Sequence, residues 1–134
     1  MMDKNNLNIS KIETYLNDVV DGVVSENTFF TTIPDPSIVK ASDWQDMVLV
    51  DFPMGIKDLE AYGKGEVDIV LYARPHESGK KNVAKMSELE QLLNDAIANA
   101  PIENYQLVRD DARSIYDTDI DWHCNVVTYI LLVS

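Results

Sequence analysis

From Ile120 to Val133 the residues sort onto two sides with a period of two. Ile120, Trp122, Cys124, Val126, Thr128, Ile130 and Leu132 fall on one side, and Asp121, His123, Asn125, Val127, Tyr129, Leu131 and Val133 on the other. Side chains alternate across a strand, so a run of this length predicts a long strand, about 120–133, whose far end is apolar toward both faces and is expected to be covered on both. Glu66 to Arg74 alternates in the same way: Val67, Ile69, Leu71 and Ala73 share one face, Glu66, Asp68, Val70, Tyr72 and Arg74 share the other, and Pro75 ends the strand. Two strands of this kind need further strands beside them and a layer to cover their apolar face.

Two amphipathic stretches supply that layer. Ser10 and Glu13 have capping-box spacing, and Ile12, Tyr15, Leu16, Val19, Val20 and Val23 recur at three and four, which predicts a helix over about 10–22 closed near Gly22. Val83, Met86, Leu89, Leu93, Ala96 and Ile97 predict a second over about 82–99, before Pro101. Met47 to Phe52 is a short apolar run stopped by Pro53, which suits a strand, and a connection with Gly55, Gly63 and Gly65 follows it. Residues 104–109 read as a further strand, bent or bulged at Asp110-Asp111 and continuing through Ile115 and Tyr116 to a turn at Asp117-Thr118-Asp119. The expected architecture is one α+β domain over residues 1–134 in the order α-β-β-α-β-β, with about four mainly antiparallel strands and both helices on one face. Residues 24–44 show no period and form a long connection holding Phe29, Phe30, Ile33, Pro34, Pro36 and Trp44. It is either a loop wrapped over its own core or an arm that packs on a neighbouring subunit.

The 23 acidic and 11 basic residues give a net charge of −12, and both halves of the chain are acidic, which opposes binding to a phosphate backbone. One local exception, Arg74, Lys80, Lys81 and Lys85 against Glu77 alone, reads as a solvated loop and helix start or as a partner-docking patch. Cys124 is the only cysteine, so no internal disulfide forms and a reducing compartment is expected. The polar start, Met1 to Leu7, has no signal-peptide pattern, and no run approaches the roughly 20 apolar residues of a membrane span, so the cytoplasm is the expected site of synthesis. Asn8-Ile9-Ser10 spells a glycosylation sequon, better explained in this setting as helix-start chemistry.

Asp117, Asp119, Asp121 and His123 form the one candidate metal cluster, since alternate strand residues point the same way and carboxylates with imidazole hold divalent cations. As a calcium loop the cluster fails, because Trp122 stands where the turning glycine is needed and Thr128 where the bidentate glutamate is needed. The turn at 117–119 also breaks the alternation, so a solvated hairpin is the plainer reading. His76-Glu77 lacks a second histidine at helical spacing, and Gly63-Lys64-Gly65 is followed by Asp68 where a dinucleotide fingerprint needs glycine. Cys124 and His123 are strand neighbours on opposite faces, so a buried structural thiol is expected there. Trp122 and Tyr129 read as core or interface anchors. No catalytic residue and no cofactor are expected.

Gly65 to Arg74 leading through a polar turn to the helix at Met86 to Ala98, then Tyr105 to Asp110 and Ile120 to Val133, resemble in order and spacing the tail terminator and tail-completion (head-tail joining) proteins of long-tailed bacteriophages. The resemblance spans about residues 8–133 in outline and rests on patterns of apolar alternation. It implies a virion structural protein, a small α+β subunit that self-associates as a hexameric ring, caps the tail tube, meets the head connector, and moves from the host cytoplasm into the virion tail. It implies no enzyme activity, no membrane and no sequence-specific nucleic-acid binding, and the acidic charge fits a lumen through which DNA slides. The candidate contact residues are Phe29, Phe30, Ile33, Trp44, Arg74, Lys80 and Lys81. Alternatives from other classes are an acidic DNA-mimic inhibitor of a nucleic-acid enzyme and a small metal-dependent hydrolase built on the 117–123 cluster.

Overall fold

The computed structural model describes residues 2–52 and 55–134. A 3-10 turn at Lys4–Leu7 leads into helix α1 (Ile9–Val20). Then come β1 (Thr28–Phe30), α2 (Pro36–Ala41), β2 (Asp46–Asp51), β3 (Ile56–Asp58), β4 (Gly63–Ala73), α3 (Val83–Ala98), β5 (Tyr105–Asp117) and β6 (Trp122–Val133). The strands form a six-stranded sheet in the order β1-β2-β4-β6-β5, with β3 also on β4. Every pairing is antiparallel except β1 on β2.

The α+β class and the largely antiparallel sheet agree with expectation, while the element count does not: six strands and three α-helices stand among the described residues against about four and two expected. The long connection at 24–44 contains two of the additions. β1 is three residues long, too short to show a period, and lies parallel to β2 with Phe29 opposite Leu49. α2 starts at Asp35, whose side chain accepts from the Ser37 N–H, with Pro36 at the first helical position where its missing N–H costs nothing. The third addition, β3, resumes the β4 ladder beyond β2, since Asp51 faces Asp68 and Ile56 faces Gly65. Pro53, expected to stop the strand before it, lies outside the described residues.

Gly63 and Gly65 belong to β4 and not to a connection, and close approach explains both. A Cβ on Gly63 would stand 2.5 Å from Leu7 Cδ2, and one on Gly65 would stand 2.9 Å from the Gly55 carbonyl oxygen. The cap of α1 is also displaced from expectation. Asn8, in extended conformation, accepts from the Ser10 and Lys11 N–H groups, so the helix begins one residue before Ser10 and the sequon asparagine is its N-cap.

Both long helices lie on one face of the sheet, as expected. Ile12, Leu16 and Val20 of α1 and Leu89 and Leu93 of α3 pack on Ile69, Leu71, Tyr129 and Leu131, all almost completely buried. Each such side chain contributes roughly 1.5–3 kcal/mol of burial before entropy is set against it. The opposite face has its own smaller core at the Trp122 end, where α2 and the 24–44 connection cover Met47, Tyr72, Trp122, Cys124 and Val126. The second cover therefore lies at the near end of β6. At the far end Ile130 and Leu132 remain half-exposed on the helix-free face, contrary to expectation.

Candidate interaction surface

The 117–123 cluster does not assemble. Residues 118–121 are a turn, with Asp121 at φ 59°, and the Asp117 carboxylate is spent on the backbone N–H of Asp119 at 2.9 Å. Asp117 faces Trp122 across the hairpin and accepts from Tyr72 Oη at 3.4 Å, on the helix-free side. His123 faces Tyr116 on the helical side, edge-on with ring centroids 4.9 Å apart, and Asp121 accepts from Tyr116 Oη at 3.3 Å. The pleat thus separates the imidazole from Asp117, and among the described residues no three His, Cys, Asp or Glu side chains are grouped to hold a metal ion.

Cys124 is fully buried, and burial first, then the nearby Asp117 carboxylate, push its thiol up to about 12, so it stays protonated and inert. Burial first, then the neighbouring Cys124 and Asp117, raise the Tyr72 hydroxyl. A recess of about 670 Å³ between α1 and the ends of β1 and β2 holds two carboxylates, Glu13 and Asp51. Burial and the Asp68 charge directly opposite raise the Asp51 carboxyl, while Asp68 itself accepts from Thr128 Oγ1 at 2.6 Å.

Most of the candidate contact residues are occupied within the chain. Phe29 and Trp44 stack with centroids 5.7 Å apart, and with Ile33 they pack on the smaller core, whereas Phe30 packs on the larger one. Arg74 clamps the connection onto the sheet: Nε donates to the Trp44 carbonyl at 2.5 Å, Nη2 to the Ser42 carbonyl at 3.0 Å, and the guanidinium lies 4.8 Å from the Trp122 ring centroid. Lys85 pairs with Asp46 at 2.8 Å, and that hydrogen-bonded pair raises the lysine despite the opposing effect of burial. Lys81 Nζ donates to Ser114 Oγ at 2.9 Å and to Asn125 Oδ1 at 3.3 Å, bracing the β5–β6 hairpin. Lys80 is exposed. The basic run therefore dissolves into three internal attachments and one solvated side chain.

The surface that stands out is β5. It is 13 residues long and pairs with β6 alone, which places it at the sheet edge, and every residue from Val108 to Tyr116 is exposed. Three of these are large apolar groups: Val108 at 42%, Ile115 at 45% and Tyr116 at 47% of full exposure. A bulge between Arg109 and Asp111 shifts the pleat, as the sequence anticipated near Asp110-Asp111. Val108, Asp111, Arg113 and Ile115 consequently face the helix-free side, opposite Ile130, Thr128, Val126 and Cys124. Arg109, Ala112, Ser114 and Tyr116 face the helical side, opposite Tyr129, Val127, Asn125 and His123. Arg109 reaches α3 there, donating to Asn94 Oδ1 at 3.4 Å. Long, exposed edge strands present an open ladder of N–H and C=O groups to another chain. The edge position escaped sequence reasoning because β6 inserts between β4 and β5, a non-sequential order that no local pattern encodes.

No helix among the described residues is long and apolar enough to cross a membrane. No family model matches the chain, and no curated protein matches it.

Proposed function

We propose that this protein is a structural subunit of a bacteriophage tail or head-tail joint, in the manner of the tail terminators it resembles. In that role it self-associates as a ring of about six copies, caps the end of the tail tube and meets the head connector, having assembled in the host cytoplasm. The observation that carries the proposal is β5: a 13-residue edge strand, exposed on both faces from Val108 to Tyr116, held in shape by Lys81 and Arg109 from behind. A strand of this length that covers no core of its own beyond Leu107 is built to meet another chain. The net charge of −12 suits a ring that surrounds DNA without holding it.

The test is assembly on polymerising tail-tube protein, followed by negative-stain microscopy. Addition of the protein is expected to stop elongation and leave added density at one tube end. Tubes that keep growing, with bare ends in the presence of excess protein, would remove the tail role.

A further inference from the structure

We infer that two copies of this chain pair edge to edge through β5, antiparallel, about a two-fold axis at Ala112. The inference stands on β5 alone and goes beyond the tail role, because a two-fold contact closes on itself and builds no ring. Between Gln106 and Tyr116 the strand carries two of the chain's three arginines, Arg109 and Arg113, against Asp110 and Asp111, so it is locally neutral in a chain of charge −12. A two-fold axis perpendicular to the sheet keeps each face continuous, so residues meet only partners from the same side of the pleat. With the bulge counted as it lies, centring on Ala112 sets Asp111 opposite Arg113 of the second copy, twice over by symmetry. The same register sets Val108 opposite Ile115, Leu107 opposite Tyr116, and Arg109 opposite Ser114. Asp110, the extra residue of the bulge, falls beside Arg113 of the other copy. Moving the axis one residue to either side stacks Asp111 on Asp111 or Arg113 on Arg113 at the centre, and like charges directly opposite oppose pairing. Charge and apolar matching therefore select a second copy as the occupant and one register for it. The pair is the unassembled form of the protein: the same edge becomes available for the ring contact of the tail role only when the pair dissociates, so pairing and ring assembly are alternative uses of β5.

The experiment uses the full chain. Directly opposed antiparallel residues have Cα atoms roughly 4.5–5.5 Å apart, within the range a disulfide spans. Ala112→Cys is expected to cross-link nearly completely under mild oxidation, with buried Cys124 unable to compete. Ser114→Cys places the two thiols on the order of 13 Å apart along the strand and should stay reduced. In sedimentation velocity, Arg113→Asp is expected to convert pairs to monomers with unchanged circular dichroism, and Asp111→Arg combined with Arg113→Asp to restore them. A monomeric wild type, an uncross-linked Ala112→Cys, equal cross-linking of both cysteine variants, or a double variant no better than Arg113→Asp would each overturn the inference. Cross-linking without tube capping would sink the tail role alone, and capping without cross-linking would sink the pairing alone.

Discussion

Arg74 joins three parts of the chain through one planar group. Its donors satisfy the Trp44 and Ser42 carbonyls while its face lies on Trp122. Arg74→Ala should cost about 2–4 kcal/mol in urea unfolding, because it leaves half-buried carbonyls unpaired and uncovers an aromatic ring. Arg74→Lys should recover little of that loss, since a single ammonium cannot reproduce the fork. Nothing in the spacing around residue 74 reveals this, as its partners lie some 30 residues earlier; beside Lys80, Lys81 and Lys85 it reads only as charge. Asp51 makes the opposite prediction. Its folded carboxyl is raised by burial and then by Asp68, so its favourable contribution exists only in acid, below the ordinary aspartate value, and is lost as pH rises through the raised one. At neutral pH two carboxylates then oppose each other across β2 and β4. Asp51→Asn should therefore stabilise by about 0.5 kcal/mol at pH 7, a gain that disappears near pH 3. Unfolding curves at both pH values check it, and an equal gain at both would exclude the charge explanation.

Among the elements, those long enough to show a period were legible. α3 is predicted over about 82–99 and found at Val83–Ala98, capped by Asn82, and the bulge in β5 lies where two consecutive aspartates interrupt the alternation. The missed elements share a physical reason, because β1, β3 and α2 have three, three and six residues, fewer than two full turns or pleat repeats. Their stability comes from packing on other elements. The Asp35-Pro36 pair was a readable helix start, masked by the prolines that made 24–44 look like plain connection. Gly65 shows the converse error, a strand residue taken for a loop glycine. The Gly55 carbonyl, Ile56 and Phe52 crowd the space where its side chain would be. Gly65→Ala is expected to cost about 1–3 kcal/mol by thermal unfolding. A null effect there would mean that the β3 crossing relaxes freely.

At the scale of the whole molecule, the two cores divide the labour of the sheet. The larger one, under α1 and α3, holds the long strands, and the smaller one, under α2, secures only the Trp122 end. The helix-free face beyond it is left to solvent, with β5 outside both. Association through that strand must overcome repulsion between two bodies each of charge −12, which is long-range and screened by salt, whereas strand pairing and apolar contact are not. Pairing should therefore tighten several-fold between about 0.05 and 0.3 M salt, as read by sedimentation equilibrium. Weakening over that range would place the energy of association in ion pairs instead.

The opposite edge of the same sheet sets the limit on growth. β1 has three residues, runs parallel to its neighbour, and continues into a segment anchored through Asp35 and Arg74, so it offers no ladder to match the thirteen residues of β5. A sheet with one fertile margin and one barren one can be extended once and no further. For a chain so rich in strand, this three-residue margin is thus a safeguard against fibres: it turns an open-ended template into a single handshake.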